Sequence, residues 1–138
     1  MDETFEMGIG SDIAEIPAVS VRLEAAMQGH SFSAEEILDT QLAVEEVITN
    51  IILHGYKNTG GEIHLSCRIT RNLVGIRICD TAPPFNPLSL PEPELEGGVD
   101  ERGIGGLGVY LLRQVMDDIS YRYENGNNIL TLVKRRTS

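Results

Sequence analysis

The chain has 138 residues, 41% of them hydrophobic and none of them tryptophan, which suffices for one domain around one core of Ile, Leu and Val and leaves no room for a second. Eleven basic against twenty-one acidic residues give a formal net charge of -10, which repels nucleic-acid phosphates, and the one concentrated basic run, Lys134-Arg135-Arg136, reads as a solvated end rather than a nucleic-acid site. No apolar run approaches the roughly 18 residues that span a bilayer, and the acidic start MDETFEMGIG lacks a charged-then-apolar signal pattern, so the sequence predicts a cytoplasmic protein that meets no membrane.

In chain order, residues Thr4 to Ile9 alternate loosely and predict a first strand. Ile13 to Met27 carries Ile16, Val19, Leu23, Ala26 and Met27 at helical spacing; Pro17 is tolerable in its first turn and Gly29 stops it. Ser33-Ala-Glu-Glu36 has the form of a capping box and opens a longer helix, which runs to about His54 and ends at Gly55. Glu62 to Thr70 and Leu73 to Cys79 are alternating, β-branched runs joined by Arg71-Asn72, a strand pair with a tight turn. Cys67 and Cys79 fall in these strands without metal-ligand spacing and are expected as core thiols.

From Asp80 to about Gly106 the chain carries five prolines and five glycines, a connection long enough to be a functional lid or a disordered linker. Leu107 to Met116 is helical in length, and Ile119 to Tyr123 with Ile129 to Val133 predicts a closing hairpin around Asn125-Gly126. The order β-α-α-β-β-loop-α-β-β predicts a single α+β domain, a two-layer α/β sandwich in which a mostly antiparallel mixed sheet carries three helices on one face.

Three clusters could carry chemistry. Glu46 and Asn50, one turn apart on a face distinct from the Ile37, Val44, Ile48, Ile51 stripe, pair a proton-accepting carboxylate with an amide oxygen able to ligate a divalent cation. Glu45 points away from Asn50. Taken alone, the two residues fit a solvated helix face better. Asp80, at the end of a buried strand and followed by Thr-Ala-Pro-Pro-Phe-Asn-Pro87, is placed either to accept a hydrogen bond from a ligand amino group or simply to cap a turn. Gly103-Ile-Gly105-Gly106-Leu107-Gly108 precedes a helix, where unpaired N–H groups and the positive end of the helix dipole favour phosphate; a plain flexible loop is equally open. No strand leads into these glycines and no Gly-Lys-Ser/Thr follows, which excludes Rossmann and Walker loops.

Together, Glu46-Val-Ile-Thr-Asn50-x3-His54-Gly-Tyr56, Asp80-x-Ala-Pro-Pro-Phe-Asn-Pro87 and Gly103-Ile-Gly-Gly-Leu-Gly108 resemble, in order and approximate spacing, the N, G1 and G2 boxes of GHKL ATPases. The resemblance covers nearly the whole chain and is greatest to anti-sigma-factor serine/threonine kinases of the RsbW and SpoIIAB type. It implies a Bergerat ATP-binding fold over residues 1–138 with an ATP lid at about 81–106. It implies that Asn50 ligates the Mg2+ of Mg-ATP, that Glu46 is general base toward a substrate serine, and that Asp80 accepts the adenine amino group. Gly105, Gly106, Leu107 and Gly108 would cradle the phosphates, Arg102 would meet their charge from the lid, and Thr131 would join the adenine pocket. The implied activity is ATP-dependent phosphorylation of an anti-anti-sigma (STAS) protein by a homodimer that also sequesters a sigma factor.

One departure stands out: the wider superfamily has Asp-x-Gly where this chain has Ala82, whose methyl group is expected to tighten or displace the adenine. The rival readings are an ATPase or nucleotide-gated binding module, and a scaffold whose ATP site is degenerate. The catalytic half of a histidine kinase is a further rival, but His30, His54 and His64 fall in a turn, a helix end and a strand, none of them suited to an acceptor.

Overall fold

Strand alternation and helical periodicity each collect apolar side chains on one surface, and the two surfaces meet to form the core. The computed structural model describes residues 2–57, 59–86, 88 and 106–137, with backbone alone for 106–110. The elements are β1 (Glu3–Gly10), a 3-10 turn (Ile13–Glu15) leading into α1 (Ile16–Gly29), α2 (Ala34–Asn50) prolonged by a π-turn (Ile51–Gly55), β2 (Glu62–Ile69), β3 (Leu73–Asp80), α3 (Gly106–Val115), β4 (Asp118–Glu124) and β5 (Asn127–Arg135).

The five strands lie in the order β1-β2-β3-β5-β4. Every pairing among the described residues is antiparallel, so the expected mostly antiparallel sheet is found, with no parallel pair among those residues. The reason is positional: β4 runs parallel to β3, but β5 lies between them and separates the two.

Ile63, Leu65, Cys67 and Ile69 of β2, Val74, Ile76 and Ile78 of β3, and Leu130 and Leu132 of β5 are all buried. The register puts Ile76 opposite both Cys67 and Leu132, and Ile78 opposite both Leu65 and Leu130, so these side chains line one face. Val19, Leu23 and Met27 of α1, Val44 and Ile48 of α2 and Leu112 of α3 complete the core. Each such side chain, fully buried, stabilises by about 1.5–3 kcal/mol. Of the two cysteines only Cys67 is a core thiol, and burial pushes its pKa up to about 12. Cys79 is half-buried, because it falls between the inward residues Ile78 and Asp80 and the pleat turns it to the other face.

The capping box at the start of α2 forms as read: Ser33 Oγ accepts from the Glu36 backbone N–H at 3.1 Å, and Glu36 Oε1 accepts from the Ser33 N–H at 2.8 Å. The other Glu36 oxygen accepts from the Thr137 backbone N–H at 2.7 Å and the Thr137 hydroxyl at 3.0 Å. The basic run before Thr137 is not the solvated end that its charge suggests. Arg136 donates to the carbonyls of Arg71, Ser31 and His30 and stacks over the Phe32 ring. Arg135 pairs with Asp118, and buried Lys134 pairs with Asp39. The C-terminal segment therefore straps the β2–β3 turn to the α1–α2 connection.

Burial alone would raise the Glu36 pKa, but the hydrogen bonds from Ser33 and Thr137 outweigh it and hold the carboxyl at about 2, against an ordinary 4.5. Because the folded value is the lower one, this carboxylate's stabilisation is complete above pH 4.5 and is lost as pH falls toward 2. Melting temperature followed from pH 6 to pH 2 is expected to drop over that window, and Glu36→Gln is expected to flatten part of the drop. An unchanged profile in the variant would overturn this assignment.

Candidate functional site

The C-terminal end of α2, the last residue of β3 and the first turn of β5 converge on a cleft under the core. Val47, Ile51, Leu112 and Leu130 are among its apolar walls, and Asn50, Asp80, Tyr121 and Asn128 bring polar groups to it. A concave, mainly apolar space with a few convergent polar side chains is what a small-molecule site requires.

Asn50 is 6% exposed, and its Oδ1 is fully buried with no hydrogen-bond partner among the described residues. An orphaned buried acceptor costs about 1–3 kcal/mol, so its retention asks for an explanation outside the protein's own hydrogen bonds. A hard cation takes such an oxygen as a ligand. Among the described residues no group of three or more His, Cys, Asp or Glu could hold a metal unaided. The donor set thus fits an ion that brings most of its ligands as phosphate and water, the habit of Mg2+.

Asp80 is 5% exposed. Its Oδ1 accepts from the Ala82 N–H at 2.9 Å and from Asn128 Nδ2 at 2.9 Å, and no hydrogen bond occupies Oδ2 among the described residues. Burial pushes its pKa up, opposed by the Asn128 and Ala82 hydrogen bonds. Asp80 thus lines the cleft with one carboxylate oxygen that has no hydrogen bond among the described residues.

Just beyond Asn50 the helix widens. The Tyr56 N–H donates to the Ile51 carbonyl at 2.8 Å, five residues back, so the stretch read as the last α-helical turn is a π-turn. This brings the Tyr56 hydroxyl to the ends of two strands, where it donates to the Glu62 carbonyl at 2.7 Å and accepts from the Thr81 N–H at 2.9 Å. It also brings Gly55 against Ala82: a Cβ on Gly55 would lie 3.2 Å from the Ala82 methyl. The Ala82 side chain, 3% exposed, fills the notch that Gly55 leaves and is not part of the cleft wall. The methyl group expected to bear on a ligand thus packs against Gly55.

Histidine kinase-like ATPase domains match the chain over residues 9–134. The chain belongs to that family. Curated relatives include proteins named serine-protein kinase RsbW from Bacillus thuringiensis and Bacillus anthracis, each 26% identical over 132 residues, 93% of this chain and 82% of the relative. A crystal structure of the RsbU and RsbW domains of a Mycobacterium tuberculosis protein shares the fold, with a TM-score of 0.67 at 17% identity; the match covers 97% of this chain and 32% of that one.

Measured against the family's boxes, Asn50 and Asp80 share the cleft. Glu46 lies one turn before Asn50, partly buried, with no hydrogen bond or ion pair among the described residues, and it is not part of the cleft wall. Glu45 is committed elsewhere, accepting from Ser20 Oγ of α1 at 2.7 Å. Gly106, Leu107 and Gly108 form the first turn of α3, while Arg102, Gly105 and all of the lid between 89 and 105 lie outside the described residues. The far end of α3 is fixed by Lys134, whose ammonium donates to the Val115 carbonyl at 2.7 Å and to Asp39 at 3.0 Å.

Thr131 is not brought to the cleft. Leu130 and Leu132 face the helices, so the pleat turns Thr131 to the opposite face, opposite exposed Arg77. Asn128 stands beside Asp80 instead, at the paired position of β3 and β5. Sequence reasoning missed Asn128 and also Tyr121, whose hydroxyl donates to Asn128 Oδ1. The available signal was parity: Asn128 shares its face with Leu130 and Leu132.

Proposed function

We propose that the protein is an ATP-dependent serine/threonine kinase that phosphorylates an anti-anti-sigma STAS-domain protein and sequesters a sigma factor, acting in the cytoplasm as a homodimer. The reading is carried by one observation: Asn50, whose amide oxygen has no partner among the described residues, and Asp80, one of whose carboxylate oxygens has no hydrogen bond among them, line the same apolar cleft. Family membership and the Bacillus relatives named serine-protein kinases support it. No helix among the described residues is long and apolar enough to cross a membrane.

In this reading Asp80 would accept the adenine amino group and Asn50 would hold Mg2+, which when bound would supply charge neutralisation for the phosphates. The N–H groups at the start of α3, from Gly106, Leu107 and Gly108 with Gly105 before them, orient the phosphates, aided by Arg102. Glu46 takes the proton of the substrate hydroxyl as its oxygen bonds to the γ-phosphorus and the bond to the ADP leaving group breaks.

Two readings of one preparation test the proposal. With Mg-ADP at about a hundredfold over Kd, linkage raises stability by about 2.7 kcal/mol, a rise of roughly 10 °C in Tm for a domain of this size. Asp80→Ala is expected to abolish that rise. Incubation with Mg-ATP and a STAS-domain protein is expected to yield phosphoserine or phosphothreonine on the STAS protein by mass spectrometry. A nucleotide-dependent rise without any phosphorylated STAS protein would favour a nucleotide-gated binding module, and no rise at millimolar nucleotide would overturn the ATP site itself.

A further inference from the structure

We infer that Asn128 is a positioning residue for base recognition: it fixes Asp80 so that a single carboxylate oxygen reads the exocyclic amino group of adenine, while Asn128 itself gives the base no hydrogen bond. The inference rests on the reading of Asp80 as the adenine acceptor and goes beyond it in locating what sets that carboxylate's geometry.

An asparagine side chain has two N–H donors and an oxygen with two lone pairs. In Asn128 all are spoken for. Nδ2 lies 2.9 Å from Asp80 Oδ1, 2.9 Å from the Ala82 carbonyl and 3.3 Å from the Pro83 carbonyl. Oδ1 accepts from the Phe85 N–H at 3.2 Å and from the Tyr121 hydroxyl. The orientation of the amide is fixed by this set: reversing it would turn Oδ1 toward a carboxylate and two carbonyls, and Nδ2 toward an N–H. The residue is 6% exposed, so none of these bonds is exchanged for water at low cost. With nothing left to offer a ligand, Asn128 acts through its neighbours.

Its effect on Asp80 is specific. The Asn128 and Ala82 donors both take Oδ1, which orients the carboxylate and leaves Oδ2 without a hydrogen bond among the described residues. A lone carboxylate oxygen accepts from an amino group and repels a carbonyl oxygen in the same place, so it separates adenine from bases with an oxo group there. The same amide holds Ala82, Pro83 and Phe85, and so sets the loop that leaves β3 together with the acceptor at the end of that strand. One side chain from β5 thus organises both.

The test compares ATP with purine riboside triphosphate, which lacks the exocyclic amino group, by calorimetric titration against wild type, Asn128→Ala and Asn128→Ser. Wild type is expected to prefer ATP by tenfold or more, about what a hydrogen bond to a charged group contributes. In Asn128→Ala the ATP affinity is expected to fall about tenfold and the analogue's by less than about threefold, so that the preference nearly disappears. Asn128→Ser keeps one short donor and is expected to fall between; it carries the test if the alanine variant does not fold. A preference unchanged in whichever variants fold, with both affinities falling together, would mean that Asn128 is scaffold only and would overturn the inference. No preference in wild type would instead overturn the adenine role of Asp80 itself.

Discussion

Asn50→Leu is expected to raise the melting temperature of the nucleotide-free protein while abolishing its response to Mg-ATP. The two effects have opposite signs because they come from one atom. In the free protein the buried Oδ1 of Asn50 has no partner among the described residues, and a leucine of nearly the same shape removes that unmet acceptor. The gain is about 1 kcal/mol, or a few degrees in Tm. In the proposed mechanism the same oxygen would become a metal ligand with Mg-ATP, so its loss is expected to cancel the nucleotide-linked stabilisation and to slow phosphoryl transfer by about a thousandfold. Calorimetry with and without Mg-ATP reads both. A variant that melts below wild type would show that Oδ1 is satisfied in the free protein, and one that still responds to Mg-ATP would remove Asn50 from the metal site.

Glu46→Gln should behave in the complementary way. Since Glu46 has no hydrogen bond or ion pair among the described residues, the substitution is expected to change stability by less than about 0.5 kcal/mol and to leave the nucleotide-dependent Tm rise intact. Transfer to the STAS protein is expected to fall by about 10²–10⁴, the usual contribution of a general base. The adjacent carboxylate is the control. Glu45→Gln weakens the bond that Glu45 accepts from Ser20, costing stability of about 1 kcal/mol, and is expected to leave transfer unchanged. Reversed results for the pair would assign the base to Glu45.

The contrast between these two glutamates shows what the sequence made legible. Helical periodicity separated Glu45 from Glu46 because both the apolar stripe and the i, i+4 relation to Asn50 are local. The capping box, the strand boundaries and the order of elements were readable for the same reason. What lay beyond reach was long-range. β3 pairs with β5 across more than forty intervening residues, so no local pattern set Asp80 opposite Asn128. Thr131 was placed by a loose match to the family rather than by parity, and a shift of one residue in a strand moves a side chain to the other face. The packing of Ala82 into the notch at Gly55 needed three dimensions, since the two residues lie on separate elements and meet only because the helix widens.

That widening has a consequence for how this chain can change in length. An α-helix closes its hydrogen bond over four residues, whereas the bond from Tyr56 to Ile51 spans five, so the stretch holds one residue more than an α-turn would. Losing a single residue between Ile51 and Tyr56 lets an ordinary turn form in its place. Asn50 on one side and Tyr56 on the other then keep their stations, at the ligand cleft and at the strand ends respectively. Within the body of the helix a deletion would rotate every later side chain by about 100°, whereas here the chain is expected to absorb it.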